Sequence, residues 1–137
     1  MITRETDYSM RLMLALAERH NRGIDSVSSA TVAEEMDIPY RFLRKLVKRL
    51  VFGGLIESRR GKGGGVTLAR KPKEISLFDV LKATGPRGAE LSYCVSEPKT
   101  CQRSTLCRLH REFKGIQGEI DKRLKAVSVA DLVSSDQ

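Results

Sequence analysis

A chain of 137 residues is long enough for one compact domain with an extension and too short for two full-sized domains. Its 40% apolar and 31% charged residues suit a folded, helix-rich protein and exclude a disordered one, and no apolar run approaches the roughly 20 residues that cross a bilayer. The opening MITRETDYSMR lacks the pattern of a signal sequence, so a cytoplasmic protein without membrane contact is expected. The net charge of +8 is concentrated. Eleven of the 25 Lys and Arg lie between Pro39 and Lys73, where Glu57 is the sole acid, and the rest of the chain is close to neutral. Such an excess belongs to a solvated surface or to a nucleic-acid partner, and the elements beneath it decide which.

Residues 7–20 place Tyr8, Leu12, Ala15 and Leu16 on one helical stripe with Gly23 as the stop, which predicts a first core helix capped by Asp7. Ser28 or Ser29 caps a short second helix over ATVAEEM that ends near Asp37, with Glu34 and Glu35 in its N-terminal half. Pro39 suits a first helical turn, and the helix that follows carries apolar pairs at 42/43, 46/47 and 50/51. Between those pairs stand Arg41, Arg44, Lys45, Lys48 and Arg49, so one face enters a core and the other presents a bar of positive charge. Gly53 and Gly54 close it.

Leu55–Arg60 and Gly65–Ala69 read as two strands of a basic hairpin whose tip, Gly61-Lys62-Gly63-Gly64, needs positive φ and close backbone approach. After Pro72, residues 75–81 begin another short helix, stopped by Gly85-Pro86. A cysteine-bearing loop precedes a long amphipathic helix, whose apolar positions fall at 106, 109, 113, 116, 120, 124 and 127. Gly115 and Gly118 weaken that helix or mark close packing against a neighbour. Ser128 and Asp131 cap a last short turn before a frayed SSDQ tail.

The resulting fold class is mainly α with a small β-wing: a winged helix-turn-helix over 1–85, a cysteine-bearing sensor loop over 86–105, and a dimerisation helix with its tail over 106–137. A helix fits the major groove of B-DNA, a preceding helix braces it, and a narrow wing reaches phosphates or the minor groove. The candidate DNA contacts are Arg41, Arg44, Lys45 and Lys48 on the helix and Arg59, Arg60 and Lys62 on the wing. The long helix spans about 33 Å at roughly 1.5 Å per residue, more than a small head covers. The stripe Leu109, Phe113, Ile116, Ile120 and Leu124 is therefore expected to bury against a two-fold mate, which sets two heads on a pseudo-palindromic operator in double-stranded DNA. An enzyme is not expected, because the chain has no glycine-rich cofactor loop after a strand and only His20 and His110 for acid-base work.

Cys94, Cys101, Cys107 and His110 run C-x6-C-x5-C-x2-H, which puts Cys107 and His110 on one face at the start of the long helix and brings four potential ligands together. Three thiolates and an imidazole suit an iron-sulfur cluster or structural zinc, and the same thiols can serve as a redox sensor without metal. The absence of a C-x2-C pair counts against zinc.

The wing segment SRRGKGGGVTLAR at 58–70 and the opening ITRETDYSMRLML resemble the IscR/NsrR-type winged-helix regulators of bacteria, and the resemblance covers nearly the whole chain. Val66 stands where an aromatic is common, and the first cysteine gap is one residue longer than in IscR. The resemblance implies a transcription regulator with the 39–51 helix in the major groove, Arg60 in the minor groove, and an iron-sulfur cluster on the three cysteines. His110 resembles the fourth ligand of IscR and favours a 2Fe-2S cluster. Asp7 resembles the carboxylate that the partner subunit supplies in 4Fe-4S relatives that sense nitric oxide. The alternative is the same DNA-binding dimer without a cluster, sensing oxidants through thiols or a small metabolite in a pocket.

Overall fold

The computed structural model describes residues 2–85 and 89–133. Helix α1 spans Arg4–Asn21, and three residues of it lie ahead of the expected start. The reason is local. Thr3 is the N-cap and closes a capping box with Thr6, so the helix begins before Asp7, which sits inside the helix and is not its cap. Leu12, Met13, Ala15, Leu16 and Ala17 then enter the core.

Ser28 caps α2 (Ser29–Glu35), which puts Glu34 and Glu35 at its C-terminal end and not in its N-terminal half. A carboxylate there gains nothing from the helix dipole. Glu35 is held by Arg19 of α1, and that ion pair compensates for its position. Helix α3 (Tyr40–Phe52) follows, with Pro39 as its N-cap, one position outside the helix proper. Strands β1 (Ile56–Arg59) and β2 (Gly65–Leu68) pair antiparallel, with Ile56 opposite Leu68 and Arg59 opposite Gly65. Val27 adds a bridge to Val66 beside them. A side chain at Gly65 would put its Cβ 2.4 Å from the Val27 carbonyl oxygen, so that third contact requires glycine.

Ser76 caps α4 (Leu77–Thr84) in a second capping box with Asp79, and Gly85 ends it. Pro86, expected to share in that stop, lies outside the described residues, as does the SSDQ tail. Helix α4 packs on α1, α3 and α6, which makes it the hub of the molecule. The cysteine segment forms a short helix α5 (Tyr93–Ser96) and a 3-10 turn at Pro98–Thr100 before the long helix α6 (Arg108–Ala126). At 1.5 Å per residue α6 spans about 28 Å, somewhat less than the sequence pattern suggests.

The last element changes the sequence reading most. Helix α7 (Val129–Leu132) is capped by Ser128 with Asp131 as expected, but it is no peripheral turn. Val129 is fully buried, its N-H donates to the Ile75 carbonyl at 2.8 Å, and Leu77 N-H donates to Val127. The C-terminal end of α6 is thereby sewn onto the head.

Gln117 ties the middle of α6 to the cysteine segment. It is the one buried residue of α6, 7% exposed. Its carbonyl oxygen accepts from Leu91 N-H at 2.7 Å, and its amide donates to Ala89 O at 3.4 Å and to Asp121 Oδ1 at 2.8 Å. Gln117→Leu keeps the volume but leaves the Leu91 N-H and the Ala89 carbonyl unpaired, at a cost of about 1–3 kcal/mol. Hydrogen exchange is expected to speed up over residues 89–97 in this variant while the amides of α1 and α3 keep their protection. Equal protection of 89–97 in both proteins would refute the tie.

Candidate nucleic-acid interface and cysteine loop

Helix α3 has one face committed to the core. Leu43, Leu46, Val47 and Leu50 are buried, and each fully buried aliphatic side chain contributes about 1.5–3 kcal/mol, so the helix has little freedom to rotate. What that burial leaves outside is Arg41, Arg44, Lys45 and Lys48, all exposed. With 3.6 residues per turn these four fall within about 100° of arc, a single strip along the helix. Phe42 and Val51 belonged to the expected apolar pairs but remain largely exposed, because the buried face is narrower than the pairs imply. Tyr40 is exposed at the first position of the helix, beside the basic strip. Sequence reasoning gave it no role.

Arg49 leaves the strip altogether. Its Nη1 donates to Glu5 Oε2 at 2.7 Å and to the Thr84 carbonyl at 2.7 Å. Lys45 Nζ donates to the other oxygen of Glu5 at 3.3 Å. The hydrogen bond from Arg49, with that from Lys45, holds the Glu5 carboxyl below the usual carboxylate range against a smaller effect of burial. No pattern at the level of sequence links residue 5 to residues 45 and 49. Only the packing of α1 on α3 brings them together.

The wing carries Arg59, Arg60 and Lys62 on its exposed surface. Gly64 N-H closes the tip onto the Gly61 carbonyl at 3.0 Å, and Gly61 and Gly63 take positive φ. The strip on α3 and the cationic tip are therefore both on the surface, joined by the turn through Gly53 and Gly54.

The three cysteines are free and half-buried. Cys94 lies in α5 with its sulfur 3.4 Å from Ser92 Oγ, Cys101 follows the 3-10 turn, and Cys107 is the N-cap of α6 with no capping bond from its side chain. One turn on, His110 Nδ1 is buried without a hydrogen-bond partner among the described residues. Soft sulfurs free of disulfides and a buried imidazole nitrogen fit a metal or an iron-sulfur group chemically. They are not gathered, however. Among the described residues no group of three or more His, Cys, Asp or Glu stands ready to hold a metal, so the expected convergence of four ligands is not met within the chain alone. Thiolates repel one another unless a cation offsets their charge, so a ligand set of this kind closes only when the group is bound. Asp7 is exposed on α1 and pairs with Arg11 at 2.9 Å, away from any ligand set within its own chain.

On α6, Leu109 is 58% and Ile116 43% exposed, while Phe113, Ile120 and Leu124 are half-buried. Gly115 and Gly118 lie on the opposite side of the helix and a Cβ at either would meet nothing within 4 Å, so neither serves a close contact within the chain. Among the described residues no helix is long and apolar enough to cross a membrane.

Comparison with known proteins agrees with this arrangement. The family Rrf2, described as "Iron-dependent Transcriptional regulator", matches residues 2–135. The "HTH-type transcriptional regulator NsrR" of Shouchella clausii is 35% identical over 136 residues, covering 98% of this chain and 89% of that protein. The NsrR of Halalkalibacterium halodurans is 39% identical over 109 residues, covering 79% and 73% of the two chains. Among solved structures, T. potens IscR shares the fold with a TM-score of 0.76 at 22% identity, over 97% of this chain and 85% of that one. These relatives are regulators of transcription, a non-enzymatic class, and the chain belongs to the Rrf2 family of bacterial transcriptional regulators.

Proposed function

We propose that this regulator binds a pseudo-palindromic operator as a homodimer and that an iron-sulfur cluster on Cys94, Cys101 and Cys107 sets its affinity for DNA. The observation that carries the reading is the anchoring of the cysteine segment on Gln117 of α6, because α6 also packs on α4 and returns through Val129 to the head. A change in the loop thus acts on the element that fixes the heads relative to one another.

On the DNA side, Arg41, Arg44 and Lys48 meet phosphates and base edges in the major groove, while Arg59 and Lys62 contact the backbone and Arg60 enters the minor groove. Lys45 lies on the same strip but is engaged by Glu5. At the loop, the orphaned Nδ1 makes His110 a better fourth ligand than Asp7, whose carboxylate is already held by Arg11. An imidazole in that place supports a 2Fe-2S cluster over a 4Fe-4S one. Such a cluster would supply a redox- and iron-responsive cross-link between the loop and the start of α6. The chain's part is to offer three thiols free of disulfides, to hold the His110 ring in place, and to transmit the loop's order through Gln117. A coupling of about 1–3 kcal/mol, typical of such linkage, is enough to switch occupancy of a promoter. A second reading keeps the dimer and lets the three free thiols themselves sense oxidants.

Three outcomes are expected. Lys48→Ala, Arg44→Ala and Arg60→Ala each weaken binding in gel-shift titrations at fixed salt, the first two on all sequences and Arg60→Ala chiefly at A·T-rich flanks. Unchanged affinity in all three would remove the winged-helix contact scheme. For the dimer, Ile116→Glu places a charge in the exposed stripe and is expected to give monomers in sedimentation analysis, whereas a wild-type monomer at micromolar concentration would refute the two-fold interface. Protein purified without oxygen is expected to hold iron and sulfide in equal amounts with a visible charge-transfer spectrum, lost in each Cys→Ala variant. Colourless, iron-free wild-type protein whose DNA affinity still responds to peroxide would establish the thiol reading in its place.

A further inference from the structure

Glu5 belongs neither to the basic strip nor to the cysteine loop, yet its carboxylate binds two cations of the DNA-reading helix. Arg49 and Lys45 approach its two oxygens at 2.7 and 3.3 Å, and the same Arg49 nitrogen reaches the last turn of α4 at Thr84. The two cations differ in what else they can do. Arg49 is turned inward and half-buried. Lys45 is exposed, and its place on the helix is within about 40° of Arg41 and about 60° of Lys48, so it stands on the strip that meets DNA. Its ammonium therefore has two rival acceptors, the Glu5 carboxylate and a backbone phosphate.

Resting on the assignment of α3 to DNA, we propose that Glu5 is a built-in competitor for phosphate: it retains Lys45 and so sets the sequence-independent part of this regulator's affinity. A phosphate contact tightens binding to every sequence and in every signalling state. Withholding one leaves discrimination to the base-reading side chains and keeps the protein releasable. Arg49 makes the retention rigid. It fixes the carboxylate between α1, α3 and α4, where Glu5 can engage Lys45 without following it to the duplex.

The prediction is quantitative. Each phosphate contact adds about 0.9 to the slope of log affinity against log salt, which at 0.15 M corresponds to roughly five-fold in affinity. Because the effect is independent of sequence, a short random-sequence duplex is a sufficient probe. With the full-length protein, Glu5→Gln is expected to tighten binding to that duplex about five-fold for each head engaged and to steepen the salt dependence by about 0.9 per head. In a Lys45→Ala background the same substitution should produce no gain, which separates release of Lys45 from a general loss of negative charge. Lys45→Ala alone should cost less than Lys48→Ala, a comparison that does not depend on the stability of any Glu5 variant. Unchanged or weaker binding by folded Glu5→Gln, a gain that persists without Lys45, or an equal loss from Lys45→Ala and Lys48→Ala would each overturn the proposal. If Lys48→Ala and Arg44→Ala leave binding to the duplex untouched, the assignment of α3 to DNA is what fails.

Discussion

The burial of one face of α3 is the constraint on which the rest of the molecule depends. Leu43, Leu46 and Leu50 are wholly withdrawn from water, and they pin the helix against α1, α2 and α4. A helix has a single orientation once its apolar face is committed, so the same contacts that stabilise the head also aim Arg41, Arg44 and Lys48 outward. The display of charge is the complement of packing. The charges are displayed because the leucines cannot be.

Electrostatics then refine what packing displays. Five cations occupy α3, and leaving them all unpaired would load the helix with like-charge repulsion. Glu5 engages two of them: Lys45 stays on the surface, while Arg49, bonded also to Thr84, becomes part of the structure. The retained carboxylate also links unfolding to proton uptake. Because the folded state holds the Glu5 carboxyl below its ordinary value, its contribution is complete above the carboxylate range and is lost as pH falls through the depressed value. Neutral pH leaves the clamp closed.

The long helix is an element held firmly at one end and sparsely elsewhere. Its C-terminal end is fixed through Val129 and the bonds to Ile75 and Leu77, its middle by Gln117, and its N-terminal end emerges from the cysteine segment with Leu109 and Ile116 exposed. The helix thus joins the cysteine segment to the head through contacts at its middle and its C-terminal end.

Elements whose signal is local can be read from the residues directly. The 3.6-residue spacing in α3 and α6, the glycines of the wing tip, and Ser128 with Asp131 as a capping box were legible because each depends on neighbours a few residues away. The family was legible in the wing and the opening segment for the same reason. Three features exist only in the closed fold. Arg49 reads as part of a basic bar but lies against Glu5, across 44 residues of chain. Residues 129–132 read as an end piece, but Val129 completes the core beside Ile75. Gln117 reads as a polar residue on an amphipathic helix but is the buried anchor of the cysteine segment. Each rests on contacts between residues far apart in sequence, where periodicity carries no information, and each is fixed only when α1, α4 and α6 close around one another.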